Sequence, residues 1–225
     1  MTMHKWFVYS DFDAVSKAAA DFLAEHIETN IQQKGVCHVV LPGGKTPAIC
    51  LGYLSNKTLL WDKVHWYLGD ERCYPQGHAE RNDVMLEKYF WSRLSATNIH
   101  TIPAESGAEK AAKVYREVIS AIESFDIAFL GVGEDGHTAS LFPGNEALSD
   151  RHSVVAVDHS PKAPSERVSL SISTLSKAQC RIVLAAGNEK AGVIRRIKNG
   201  EPLPINILGD INWFIDEAAL IENTN

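Results

Sequence analysis

Short apolar runs that end in glycine-bearing polar turns constrain the fold of this chain more than any other feature. They are Val36-Cys-His-Val-Val-Leu41, Val64-His-Trp-Tyr-Leu68, Ile127-Ala-Phe-Leu130 and Arg181-Ile-Val-Leu-Ala-Ala186. Runs this short, bounded by turn residues, read as buried strands. Trp6 to Tyr9, Ile99 to Ile102, Ser153 to Val157 and Ile211 to Ile215 add further strands. Arg167-Val-Ser-Leu-Ser-Ile172 alternates apolar and polar residues and predicts a half-exposed strand. Helical stretches lie between them. The first is capped by Ser10 or Asp11 and runs to about Lys34, where Gly35 stops it. A second has Pro47 in its first turn and ends near Leu54. Others cover about Asn82 to Leu94, 106–123 and Ala191 to Lys198, with a short one at the C-terminus. This alternation predicts an α/β chain with one domain over 1–225. Its expected architecture is a mostly parallel, doubly wound (Rossmann-like) sheet with helices on both faces. The strand order is not readable from the pattern.

Four polar turns follow predicted strands: Gly43-Gly-Lys-Thr46, Gly69-Asp-Glu-Arg72, Gly131 to His137, and Gly187-Asn-Glu-Lys190. In a parallel sheet they emerge at one edge, so residues far apart in the chain converge there. The convergence gathers Lys45, Arg72 and Lys190 with Asp70, Glu71, Asp135 and His137. Glycines let backbone N–H groups approach an anion, and helices starting just beyond add their positive ends. The composition suits a phosphate, with an acid/base group beside it.

Two nucleotide readings fail. Gly43-Gly-Lys-Thr46 resembles the end of a P-loop, but Val39 stands where the first glycine belongs and Pro47 follows at once. Gly131-x-Gly133-x-x-Gly136 matches a dinucleotide fingerprint, with Asp158 at the expected distance. That fingerprint needs an uninterrupted helix, which Pro143-Gly144 breaks, and Glu134-Asp135 stand where a pyrophosphate would press. Ser140 lacks a nucleophile elbow, and no histidine spacing suits a catalytic metal. The glycine-rich, acid-flanked setting of His137 marks it as the candidate acid/base group. Arg167 reads equally well as an exposed strand residue, and Lys190 as a helix-surface lysine.

Net charge of -6 argues against a nucleic-acid binder, since no broad basic field is available to neutralise phosphates. The four cysteines are scattered without a C-x-x-C pair, which suits reduced thiols in the cytosol. No apolar run approaches the ~20 residues that span a bilayer, and Met-Thr-Met-His-Lys-Trp-Phe lacks the apolar core of a signal peptide. A cytoplasmic protein with no membrane partner is expected.

Taken in order, these blocks resemble the 6-phosphogluconolactonase family from end to end. Pro42-Gly-Gly-Lys-Thr-Pro47 stands at its Gly-Gly-x-Thr-Pro turn. Asp70-Glu-Arg72 with Arg81-Asn82 and Met85 is its second block. Gly131-x-Gly-x-Asp-Gly-His-Thr-Ala-Ser-Leu-Phe-Pro-Gly144 is its most specific one, and Pro164-x-x-Arg167 and Gly187-x-x-Lys190-Ala191 complete the set. Related glucosamine-6-phosphate deaminases continue from Asp-Gly-His with Ile-Ala-Phe-Asn-Glu-Pro and carry Asp-Glu-Tyr, unlike Thr138 to Pro143 and Asp70-Glu-Arg72 here. A deaminase or isomerase, and a non-catalytic sugar-phosphate sensor, are the alternatives.

The resemblance implies a hydrolase of carbohydrate metabolism in the pentose phosphate pathway. Its substrate is a small sugar-phosphate lactone, and it needs no cofactor, metal or obligatory protein partner. It implies a catalytic group of His137, Asp135, Asp70 and Glu71, with His137 as general base and Asp135 orienting its ring. It also implies a substrate-binding group of Gly43, Gly44, Lys45, Arg72, Arg167 and Lys190. Arg167 and Lys190 would hold the phosphate, while the glycine-turn amides or Arg72 would face the oxyanion. Lys45 replaces a serine common in the family and either adds a phosphate contact or points away.

Overall fold

The computed structural model describes residues 3–95 and 98–221. The chain opens with β1 (Lys5–Tyr9), α1 (Phe12–Lys34), β2 (Cys37–Leu41), α2 (Lys45–Leu54), β3 (Val64–Leu68), β4 (Asp70–Arg72) and α3 (Asn82–Tyr89). It continues through β5 (Ile99–His100), α4 (Ala108–Val118), β6 (Ile127–Leu130), β7 (Val154–Val157) and β8 (Arg167–Leu170). The rest is α5 (Ile172–Ser176), β9 (Cys180–Ala185), α6 (Ala191–Lys198), α7 (Pro204–Ile207) and β10 (Asn212–Asp216). The start of α1 follows the sequence reading: Asp11 caps it, accepting the Ala14 amide at 2.8 Å. Such a cap is worth roughly 1 kcal/mol.

Seven strands form one sheet in the order β1-β10-β9-β6-β2-β3-β5, and each neighbouring pair is parallel. All four residues of β6 are buried. A strand buried on consecutive residues needs cover on both faces of its sheet. One face receives α1, which packs on β1, β2, β9, β10 and α2. Tyr115 of α4 is fully buried and fixes the end of β3, donating to the Leu68 carbonyl at 3.2 Å while accepting the Leu68 amide at 3.0 Å. From β2 the strand order advances through β3 to β5, and from β6 through β9 to β10 on the other side. The order therefore reverses between β2 and β6, and in open α/β sheets that crevice, beyond the strand C-termini, receives ligands.

The remaining strands make a second, antiparallel sheet, β4-β8-β7. Gly69-Asp-Glu-Arg72 is thus mostly strand rather than a free turn. The Gly69 amide still donates to the Leu41 carbonyl of β2 at 2.9 Å, while the Gly69 carbonyl accepts the Leu170 amide at 2.8 Å. One residue hands the chain from the large sheet to the small one. The half-exposed reading of the 167–172 strand is also overturned, because all four residues of β8 are buried. Arg167 lines the ligand crevice, and Ser169 is enclosed beneath it, accepting the Ser140 amide at 3.3 Å.

Candidate active site

At the switch point the turns after β2, β6 and β9 meet the small sheet around a cleft of about 240 Å³. Of the ten site residues named from sequence, Gly43, Gly44, Lys45, Asp70, Arg72, His137, Arg167 and Lys190 line it. Asp135 stands behind His137. Glu71 is the exception. No helix follows Gly136; the chain runs through turns to Gly144, so the element a dinucleotide site requires is absent from this stretch. Helices do begin directly after Gly44 and, through one 3-10 turn, after Gly187.

The loop after β6 positions His137. His137 Nδ1 lies 2.5 Å from Asp135 Oδ1, and the same oxygen accepts the His137 backbone amide at 3.1 Å. A carboxylate only accepts, so the ring proton sits on Nδ1, and Nε2 is left for the cleft. Phe142 supports the ring from the side, with centroids 4.5 Å apart. Gly133 is a packing requirement: a Cβ there would fall 2.0 Å from the ring and 2.7 Å from Asp135 Oδ1. Burial lowers the His137 pKa below its ordinary value and outweighs the contribution of Asp135, which raises it. Burial acts in the opposite sense on Asp135, but its bonds to His137 prevail and hold the carboxyl low. The result at neutral pH is an uncharged imidazole on an ionised acid, which is the state a general base requires.

Asp70 is almost fully buried at the cleft wall. It accepts the Ser140 hydroxyl at 2.5 Å and the Asn82 side-chain amide at 3.1 Å. Asn82, named above within the second family block but given no site role, also lines the cleft. Its Oδ1 packs so closely on Gly43 that a Cβ there would stand 1.8 Å away, so Gly43 must be glycine to let Asn82 join the glycine turn to Asp70.

The structure does not bring Glu71 to the cleft. The residue is fully buried and accepts the backbone amides of Arg72 and Asn82 at 2.8 Å and of Asp83 at 2.9 Å. Burial pushes its pKa up to about 7 against the opposing pull of those amides. Its work is to pin the first turn of α3, and with it Asn82, to β4. Arg81 braces the same turn through Asp83 at 2.7 Å and Glu105 at 2.8 Å.

The cations converge as the turns predict, with more order than expected. Arg72 and Arg167 are directly opposite in the β4–β8 register. Like charges facing each other across a strand pair repel, so the arrangement favours an anion between or beside them. Arg72 donates from Nη1 to the Glu80 carbonyl at 2.6 Å. Arg167 spends Nη2 on the Lys162 and Ala163 carbonyls at 3.1 and 2.9 Å and Nε on Pro164 at 3.3 Å, with its guanidinium 5.5 Å from the Phe142 ring. It is therefore a clamp for the 158–166 loop as well as a cleft cation. Lys162 on that loop also lines the cleft. The sequence reading passed over it; a lysine between two prolines, just ahead of Arg167, was the available signal.

Comparison with known proteins places the chain in a family. Residues 10–213 match the family described as glucosamine-6-phosphate isomerases/6-phosphogluconolactonase. The chain is 39% identical to human 6-phosphogluconolactonase over 174 residues, covering 69% of this chain and 67% of the relative. It is 30% identical to the Mycobacterium tuberculosis 6-phosphogluconolactonase over 235 residues, covering 94% and 95%. The crystal structure of the Thermotoga maritima 6-phosphogluconolactonase superposes with a TM-score of 0.89 at 28% identity, covering 96% of this chain and all of that one. With a family model matching over most of its length and a curated relative 30% identical over 94% of it, the chain belongs to the glucosamine-6-phosphate isomerase/6-phosphogluconolactonase family.

Proposed function

We propose that the protein hydrolyses 6-phospho-D-glucono-1,5-lactone to 6-phospho-D-gluconate, the lactone step of the oxidative pentose phosphate pathway. The observation that carries this reading is the Asp135–His137 pair opening onto a cleft rimmed by Lys45, Arg72, Lys162, Arg167 and Lys190. The names of the relatives point to the same substrate. An ester carbonyl needs an activated water, and a phosphate needs cations; this cleft offers both within one small volume. Its four cysteines are free thiols, which fits a reducing compartment such as the cytoplasm.

In the proposed mechanism His137 Nε2 takes a proton from a water as the water oxygen bonds to the lactone carbonyl carbon. Asp135 stabilises the resulting imidazolium, as an acid does behind the histidine of a triad. The tetrahedral intermediate collapses by breaking the bond to the ring oxygen, and His137 returns the proton to that oxygen. Lys190 and Arg167 hold the phosphate, joined by Arg72 and the Gly43-Gly44 amides at the start of α2. Asp70, tied to Ser140 and Asn82, fixes the wall between the phosphate turn and the base.

The test is acid release from lactone generated in situ, measured above the spontaneous rate, with ammonia release from glucosamine 6-phosphate followed in parallel. Acid release alone supports the lactonase, and ammonia alone overturns it. His137→Ala should collapse kcat with little change in KM; near-normal turnover by that variant removes His137 as the base.

A further inference from the structure

Lys162 is a cleft cation to which the mechanism above gives no task. Its backbone is built into place. The Lys162 carbonyl accepts from Arg167 Nη2 at 3.1 Å and from the Ser160 hydroxyl at 2.8 Å, while its amide donates to Ser160 Oγ at 3.3 Å. The Ser160 amide closes the loop on the Ser165 carbonyl at 2.9 Å. Arg167 in turn packs on Phe142, and Phe142 packs on His137, so the base and the Lys162 backbone share one support.

The charge of Lys162 bears on both members of the pair and lowers the pKa of each. For His137 alone this is a handicap, because a nearby cation opposes proton uptake by the base. The handicap disappears if negative charge develops beside Lys162 in the step that protonates His137. Lys45 and Lys190 belong to the turns after β2 and β9, on other walls of the cleft.

We propose that Lys162 is the catalytic cation of the lactone end of the cleft, stabilising the oxyanion as it forms and then holding the product carboxylate. The proposal rests on the lactonase reading. As the water oxygen bonds to C1 and gives its proton to His137, the carbonyl π pair moves onto the carbonyl oxygen, beside the Lys162 ammonium. On collapse the C1=O bond re-forms, the C1–ring-oxygen bond breaks, and the ring oxygen takes the proton from His137. The new carboxylic acid loses its proton to solvent, and its carboxylate stays paired with Lys162 until product leaves.

The experiment compares the wild-type chain with Lys162→Met and Lys162→Arg, measuring kcat, KM, inhibition by 6-phosphogluconate and the pH dependence of kcat/KM. Lys162→Met should lose roughly 10²-fold in kcat, the usual cost of one oxyanion partner, with KM nearly unchanged. Inhibition by 6-phosphogluconate should weaken, and the acid limb should move to higher pH because His137 is relieved of a neighbouring cation. Lys162→Arg should recover most of the kcat loss. Unchanged kcat in Lys162→Met, or a rise in KM alone, overturns the proposal; the latter would make Lys162 a phosphate ligand. If the wild type itself shows no acid release above the spontaneous rate, the lactonase reading is what fails. Lys162 is exposed, and an unchanged thermal midpoint in both variants checks that folding is not the cause.

Discussion

Replacing Asp135 with Asn tests the charge behind the base separately from its geometry. In a serine-hydrolase triad the corresponding change costs about 10⁴ in kcat, because the amide stabilises the wrong histidine tautomer. Here one oxygen, Asp135 Oδ1, receives both the ring nitrogen at 2.5 Å and the His137 backbone amide at 3.1 Å. That amide is always a donor, so in Asp135→Asn it selects the side-chain oxygen for this position and keeps the side-chain NH₂ away. The ring proton then stays on Nδ1, and only the charge is lost. For an ion pair about 4 Å between charge centres at an effective dielectric constant of about 20, the interaction is roughly 4 kcal/mol. The Asp135 side chain is 37% exposed, so solvent screens part of it. A loss of roughly 2–3 kcal/mol in the step that forms the imidazolium corresponds to about 30- to 150-fold in kcat. Because Asp135 raises the His137 pKa, its neutral replacement moves that pKa further down. The acid limb of the kcat/KM profile should therefore shift to lower pH, which in situ lactone hydrolysis from pH 5 to 8 will resolve. A 10⁴-fold loss, or an acid limb moving upward, refutes the claim that the backbone amide fixes the tautomer.

Gly133→Ala should abolish most activity while leaving the fold in place, since the atoms the added Cβ meets first are those of the His137 ring and Asp135. Overpacking of this kind costs about 1–3 kcal/mol, so urea unfolding should remain cooperative while lactone turnover is lost; retained turnover would mean the ring has room to move. Lys190→Ala and Arg167→Ala should separate. The lysine variant should raise KM alone, whereas loss of Arg167 should raise KM and lower kcat, because it also frees the loop that carries Lys162. Equal effects on both parameters in the two variants would count against the clamp.

The large sheet and the four converging turns are legible in the sequence because buried parallel strands are short apolar runs and glycine marks their ends. The small sheet is legible only in part. Its β7 and β8 fall on runs that read as strands, but β4 has three residues, all charged, and so carries none of the apolar signal by which strands are recognised. The 158–166 segment reads as a loop with Pro161 and Pro164, and only the Arg167 donors show what holds it and brings Lys162 to the cleft. The different placement of Asp70 and Glu71 was not legible either. Two adjacent acids after a strand look equivalent when the segment is taken for a turn.

Their different fates follow from the pleat. Successive residues of a strand face opposite sides, so once Asp70-Glu-Arg72 is a strand, Asp70 and Arg72 share one face and Glu71 takes the other. The β4–β8 register places Asp70 opposite Ser169 and Arg72 opposite Arg167. Asp70, Arg72 and Arg167 all line the cleft, and Ser169 accepts the Ser140 amide at 3.3 Å in the loop beyond His137. On the other face Glu71 accepts the backbone amides of Arg72, Asn82 and Asp83, with Arg81 Nε 4.0 Å away. One period-two alternation thus divides the two acids between the cleft and the scaffold. The same alternation explains why β8 reads as amphipathic although it is wholly buried: its polar face is the active-site wall.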